Sequence, residues 1–248
     1  MYRDACKISL EIMASVRERV AVGITTSELD EITGEECQKR NVKPAFYKVR
    51  NHNGIFGHNA CIYKNDVAVH GIPDSEPLAS GDLLTYDFGI IYKGLHTDHC
   101  YTVGVGDVSK DDRKLLEVGK LAVVTSIKQA VAGNYTGDIG NTIEEIARMS
   151  GFDTLKEYIG HGIGKNLHEV PEIPAHGETG KGEKLQENMI ICVEAQVTAG
   201  SASVYTDKDS WSVRTKDGSN CVMFEYMVRV GREEPEILTD NRDWAVTI

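Results

Sequence analysis

Four carboxylates stand inside the most apolar runs of this chain: Asp87 and Asp98 in YDFGIIYKGLHTDHC (86–100), Glu194 in MIICVEAQV (189–197) and Glu225 in CVMFEYMVRV (221–230). The runs read as strands, since turn residues such as Lys93-Gly94 and Asp217-Gly218 punctuate short apolar segments. A carboxylate in a buried strand has low β-propensity and carries a desolvation cost that a partner must offset. One such acid is ordinarily an edge residue or half of an ion pair. Four need several counter-charges, and these strands offer only Arg229 and the turn residue Lys93. Divalent cations are the economical partner, because carboxylates are the ligands that hard and borderline ions accept.

If Lys93-Gly94 forms a two-residue hairpin loop, Tyr92 faces Leu95, Asp87 faces Cys100 and Asp98 faces Gly89. Asp87 and Asp98 are then diagonal neighbours on one face, about 7–8 Å apart, a spacing that can flank two cations about 3.5–4 Å apart. A histidine to complete such a site lies in GHGIGKNLHEVPEIP (160–174). There Gly160, Gly162 and Gly164 allow close backbone approach around His161, and His168 follows seven residues on. His70, in NDVAVHGIPD, ends a strand at a Pro turn. A loop or turn histidine is ordinarily just solvated, so none of the three carries the reading alone.

Apolar spacing predicts helices over 4–22, from Thr25 (capping box with Glu28) to Lys39, over 109–132 with Leu115, Leu116, Leu121, Val124 and Ile127 inward, and over 138–150. Strands fill about 61–106 and return at 189–197 and 221–230. Hairpins, not helices, join those strands, so the fold class is α+β with a mostly antiparallel sheet, expected as one domain over 1–248. With 41% hydrophobic and 26% charged residues, the 248-residue chain can bury a substantial core. No apolar run approaches the roughly 20 residues of a membrane helix, and MYRDACKISLEIM mixes charge where a signal peptide has an apolar block. The expectation is a cytoplasmic protein with no membrane partner. A net charge of −11 without a Lys/Arg cluster disfavours nucleic acid, and six cysteines without a CxxC pair read as reduced thiols.

The ordered motifs resemble the methionine aminopeptidases, within the pita-bread metallopeptidases. They are HGIPD (70–74), the aspartates eleven apart in DFGIIYKGLHTD (87–98), GHGIG followed by His168, Glu194 in VEAQVTAG, and Glu225 after DSWSVRTKDGS. The likeness runs from about Ala5 to Ile237. It implies a pita-bread fold, a curved, mostly antiparallel sheet with two pairs of helices on its outer face. It also implies two divalent metal ions (Co, Mn, Fe or Zn) held by Asp87, Asp98, His161, Glu194 and Glu225, with Asp98 and Glu225 bridging. Glu194 would move a proton from water to the leaving amine, His168 would stabilise charge on the carbonyl oxygen, and His70 would orient the peptide. Phe56, Cys61, Leu167 and Trp211, beside His70 and His168, would wall the side-chain pocket. The implied partner is the N-terminal peptide of a newly made protein, which loses its methionine, with transient ribosome contact and a monomeric enzyme.

Only 33 residues separate His161 from Glu194, which leaves no room for the helical insertion of the family's second type and favours the compact first type. Asn53, Gly57, Asn59, Leu167, Ala195 and Tyr226 stand where the family usually has other residues, and point to altered selectivity. His58, His96 and His99 lie nearby and are expected to stay solvated or to sit behind the ligands. Two alternatives remain open: a related peptidase with a different first-residue preference, and a silent peptide-binding module, which would be expected to have lost metal ligands.

Overall fold

The computed structural model describes residues 1–51 and 54–248. Its principal sheet contains β1 (Cys61–Lys64), β2 (Leu83–Phe88), β3 (His99–Gly104), β4 (Gly160–Gly162), β5 (Glu169–Ile173), β6 (Ile190–Thr198) and β7 (Cys221–Arg229). They lie in the order β5-β4-β6-β7-β3-β2-β1, every pair antiparallel. Two short strands, Asp153–Thr154 on β6 and Glu236–Ile237 on β7, bring the sheet to nine among the described residues.

Pleating sorts the side chains. On β6 and β7, Ile191, Val193, Ala195 and Val197 with Val222, Phe224, Tyr226 and Val228 face the helices and join the main core. Cys192, Glu194 and Gln196 with Met223, Glu225 and Met227 alternate with them and face the other way. Leu84, Tyr86 and Phe88 of β2 and Tyr101 and Val103 of β3 repeat the rule on the helix side. The helices are α1 (Tyr2–Arg17), α2 (Thr26–Lys39), α3 (Lys110–Ser126) and α4 (Thr136–Met149). α1 packs on α2 and α3 on α4, and all four send apolar side chains into that core. The expected capping box is present: Thr25 Oγ1 accepts from Glu28 N at 3.1 Å, and Thr25 N donates to Glu28 Oε2 at 2.8 Å. Among the described residues no helix is long and apolar enough to cross a membrane.

The central hairpin keeps the register that its loop demands. Lys93 and Gly94 have φ of 51° and 80°, the two left-handed residues of a type I′ turn, and the pairs Tyr92–Leu95, Phe88–His99 and Asp87–Cys100 follow. Asp98 therefore faces Gly89, where a Cβ would lie 1.8 Å from Thr97 O, so glycine alone fits.

Four expectations need correction. α1 stops at Arg17, not 22: turn bonds Arg19 N to Val16 O and Val20 N to Arg17 O keep Val20 buried after the helix has ended. α3 stops at Ser126 and passes into a 3₁₀ turn, Ile127–Gln129, rather than running to 132. Leu121, expected inward, is 54% exposed, because at 3.6 residues per turn it lies on the far side from Leu115, Leu116, Ala122 and Val123. Asp217-Gly218 does form a turn, with Gly218 at φ 71°, but the strands it joins do not pair. Val213–Thr215 pairs with Val67–Val69 and Val204–Thr206, while β7 pairs with β6.

Candidate metal centre

The acids meet because the register places them in one row. Cys61 pairs with Asp87, Asp87 with Cys100, Cys100 with Glu225 and Glu225 with Glu194, a line crossing β1, β2, β3, β7 and β6 on the face away from the helices. Asp98, just before β3 and two residues from Cys100, and His161 of β4, which pairs with Cys192 two residues from Glu194, flank that row. Ligand atoms of Asp87, Asp98 and Glu225 lie within 4.8 Å of one another, as do those of Asp98, His161 and His168, and those of His161, Cys192 and Glu225. His161 Nδ1 sits 2.9 Å from Gly162 O and donates to it, which leaves the Nε2 lone pair, 3.7 Å from Asp98 Oδ2, as the ligand atom.

This cluster lacks the partners that buried carboxylates need. Asp87 Oδ1, Asp98 Oδ1 and Glu225 Oε1 are buried without a hydrogen-bond donor, and among the described residues no Lys or Arg pairs with any of the four acids. Burial first, and then mutual repulsion with the neighbouring acids, hold the carboxyls of Asp87, Asp98 and Glu225 well above the usual range. Burial raises Glu194 to about 7, and a hydrogen bond from Gln196 Nε2 to Glu194 Oε2, 2.9 Å, limits the rise. Orphaned oxygens beside one free imidazole nitrogen fit hard or borderline divalent cations, and two of them neutralise four carboxylates.

The row floors a cavity of about 430 Å³. On one side Phe46, Phe56, Cys61, Leu167 and Trp211 form an apolar lobe, with the Phe56 and Trp211 rings edge-on at 5.2 Å. Val69, Tyr158 and Met223 pack in a separate apolar cluster, and His70 and Gln196 complete this part of the lining. His70 holds φ 56°, a left-handed conformation uncommon for this residue type, and its ring meets Tyr158 edge-on at 5.6 Å. The His161 and His168 rings are 4.4 Å apart. Desolvation lowers His70 and His161 to about 4 and lowers His168 as well, so all three rings are neutral at pH 7.

Every residue that the sequence suggested for the site is therefore brought to this one cavity. Several of the departures noted in the sequence are not. Ala195 and Tyr226 face the helices and pack in the main core, away from the cavity. Asn59 is tied to α2: its N donates to Asp30 Oδ1 at 2.8 Å and its Nδ2 to Asp30 O at 3.0 Å. Gly57 does not line the cavity, Leu167 does, and Asn53 lies outside the described residues. His99, expected to be solvated or behind the ligands, is fully buried on the helix side, its Nε2 2.7 Å from Ser9 Oγ, and burial takes it to about 3. His58 lies 3.6 Å from Asp30 Oδ2.

The sequence reading did not single out Phe46, Tyr158, Cys192, Gln196 or Met223. The last three follow from two-residue periodicity around Glu194 and Glu225, whereas Phe46 and Tyr158 arrive from loops and carry no local signal.

A curved antiparallel sheet carrying acids on one face and paired helices on the other defines a metallopeptidase. The family model described as Metallopeptidase family M24 matches residues 1–232; the chain belongs to this family, binds divalent metal, and has its pita-bread fold. The chain is similar to the methionine aminopeptidase of Clostridium perfringens, 36% identical over 241 residues that cover 96% of this chain and 94% of the relative. Two solved methionine aminopeptidases superpose on it, each covering 96% of this chain and 95% of the other. That from Rickettsia prowazekii is 32% identical with a TM-score of 0.92. That from Thermotoga maritima is 31% identical with a TM-score of 0.91.

Proposed function

We infer that this chain is a metallo-aminopeptidase that removes the N-terminal methionine from newly made proteins. The observation that carries the reading is the convergence of Asp87, Asp98, His161, Glu194 and Glu225 on one cavity in which three buried carboxylate oxygens have no donor among the described residues. These five residues would hold two divalent cations, of Co, Mn, Fe or Zn. When bound, the cations supply a Lewis acid for the peptide carbonyl and lower the pKa of a water toward about 7.

The remaining steps belong to the chain. The apolar lobe of Phe46, Phe56, Cys61, Leu167 and Trp211 takes the unbranched methionine side chain, and its walls exclude water around the scissile bond. Glu194, at the floor of the cavity beside the other ligands, passes a proton from the attacking water to the leaving amine. Neutral His168 donates a hydrogen bond to the carbonyl oxygen as charge builds there. His70, fixed against Tyr158, orients the peptide beyond the bond being cut. The products are free methionine and the shortened polypeptide. The protein acts as a cytoplasmic monomer, meeting its substrate near the ribosome.

The test is a set of peptides that differ only in the first residue, given to the cation-loaded protein. Methionine is released well ahead of leucine or alanine; equal release would remove the methionine assignment, and no release from any peptide would remove the peptidase.

A further inference from the structure

Of the residues proposed to hold the cations, Asp98 alone lies outside the strands. Asp87, Glu194 and Glu225 sit in paired stretches of β2, β6 and β7, and His161 in β4, so ladder bonds fix their backbones. Around Asp98 the ladder is broken. Phe88 pairs with His99 and Ile91 with His96, and the residues between these last two, Thr97 and Asp98, belong to no strand. The break follows from the close approach at Gly89, where Thr97 O lies 1.8 Å from the place a Cβ would take. Asp98 N, outside any ladder, donates to Met227 Sδ at 3.3 Å, and a thioether is a weak acceptor. A carboxylate placed in this way depends on its neighbours for its position.

Both neighbours are held from the helix layer by one hydroxyl. Ser9 of α1 is fully buried, a polar residue in a stripe otherwise made of Ala5, Cys6, Ile12, Met13 and Val16. Thr97 Oγ1 accepts from Ile90 N at 2.9 Å, which bridges the gap in the ladder, and donates to Ser9 Oγ at 3.1 Å. Ser9 Oγ lies 2.7 Å from His99 Nε2. Having accepted from Thr97, Ser9 gives its own hydrogen to that nitrogen, so a continuous chain of bonds runs from Ile90 through Thr97 and Ser9 to His99. Thr97 and His99 turn toward α1, and the pleat turns Asp98, between them, into the cavity. The other ring nitrogen, Nδ1, then carries a hydrogen that meets no acceptor among the described residues. That unmade donor costs stability, so the ring contributes by where it holds the chain more than by the bonds it adds.

We propose that Ser9 is a positioning residue for the metal centre: its hydroxyl ties Thr97 and His99 to α1 and so sets where the Asp98 carboxylate meets the cations. The proposal rests on the reading of Asp98 as a cation ligand and extends it to the opposite face of the sheet. Ser9 itself lines no part of the cavity. Groups that orient a ligand from behind are worth about ten- to a hundred-fold in cation affinity.

The experiment titrates the chelator-stripped full chain with Co(II), followed by calorimetry and by the visible absorbance of the bound ion, in wild type, Ser9→Ala and Ile143→Val. Ile143 is fully buried on α4, so its truncation lowers stability without touching the Asp98 segment. Ser9→Ala is expected to bind Co(II) about ten-fold more weakly and with a changed visible spectrum, and Ile143→Val to stay within about two-fold of wild type. His99→Leu removes the far end of the anchor together with its unmade donor, so its affinity falls while its urea midpoint holds; it carries the test should Ser9→Ala not fold. Wild-type affinity in folded Ser9→Ala or His99→Leu overturns the proposal and leaves the aminopeptidase reading standing, as does an equal loss in Ile143→Val. A wild type that binds no cation overturns both.

Discussion

Remove the cations with a chelator and replace Glu194 by glutamine, and the stability of the two proteins should diverge with pH in a defined direction. Burial lifts the Glu194 carboxyl from an ordinary 4.5 to about 7. A carboxyl whose folded pKa is raised contributes stability fully below its unfolded value and loses it as pH climbs toward the folded one. The window is therefore pH 4.5 to 7. At about 1.4 kcal/mol per unit, wild type loses about 3 kcal/mol across it, whereas glutamine does not titrate. His70 and His161, lowered to about 4, and His99, lowered to about 3, act oppositely in the same range, since neutral burial costs stability as the unfolded chain gains protons below about 6.5. Taking the difference between wild type and Glu194→Gln cancels the histidines and leaves Glu194 together with the part of the Asp87, Asp98 and Glu225 titrations that its charge sets. Glutamine keeps an acceptor for Gln196 Nε2, so the hydrogen bond of 2.9 Å survives. For a chain of 248 residues, about 3 kcal/mol is about 6–12 °C in Tm. Melting followed by circular dichroism from pH 4.5 to 7.5 should show the variant gaining that much on wild type as pH rises. Parallel curves would refute the argument that Glu194 is held protonated by its surroundings. Returning the cation should reverse the ranking, because it binds the ionised form that only wild type offers.

Two further outcomes follow. Gly89→Ala puts a Cβ within 1.8 Å of Thr97 O, a backbone atom that cannot move without displacing Asp98. A loss of about 3 kcal/mol in urea unfolding is expected, together with weaker cation binding by the surviving folded protein; wild-type stability would contradict the close approach. Trp211→Ala opens the wall that meets Phe56 at 5.2 Å, so KM for methionyl peptides should rise about ten-fold while kcat changes less. An unchanged KM would place the methionine side chain elsewhere.

Much of this site was legible because β-structure has a period of two. A two-residue loop at Lys93-Gly94 sets the pairing of Asp87 with Cys100, and one count along the hairpin then puts Asp98 opposite Gly89. The same period explains which departures from the family pattern do not touch the cavity. Ala195 follows Glu194 and Tyr226 follows Glu225, so the pleat turns both toward the helices. Read by kind of residue alone, they looked like site changes. Gln196 was overlooked for the converse reason: a polar amide in a strand is less conspicuous than a charge, although it shares the Glu194 face. The end of α1 was misread because a 3₁₀ turn carries Val20 to the side where a continuing helix would have put it. Phe46 and Tyr158 come from loops whose approach depends on packing across the whole sheet, which no local pattern records.

If the buried acids act by holding cations, catalysis follows the cation. The direct measurement is methionine release from a Met-Ser peptide, followed by mass spectrometry, with chelator-stripped protein before and after a divalent cation is returned. Wild type is expected to be inactive when stripped and active when reloaded, and Asp98→Asn, folded by circular dichroism, to stay in both states at least a thousand-fold slower than reloaded wild type, about 4 kcal/mol in the barrier. Full activity without cation, or near-normal rates from reloaded Asp98→Asn, would contradict the claim.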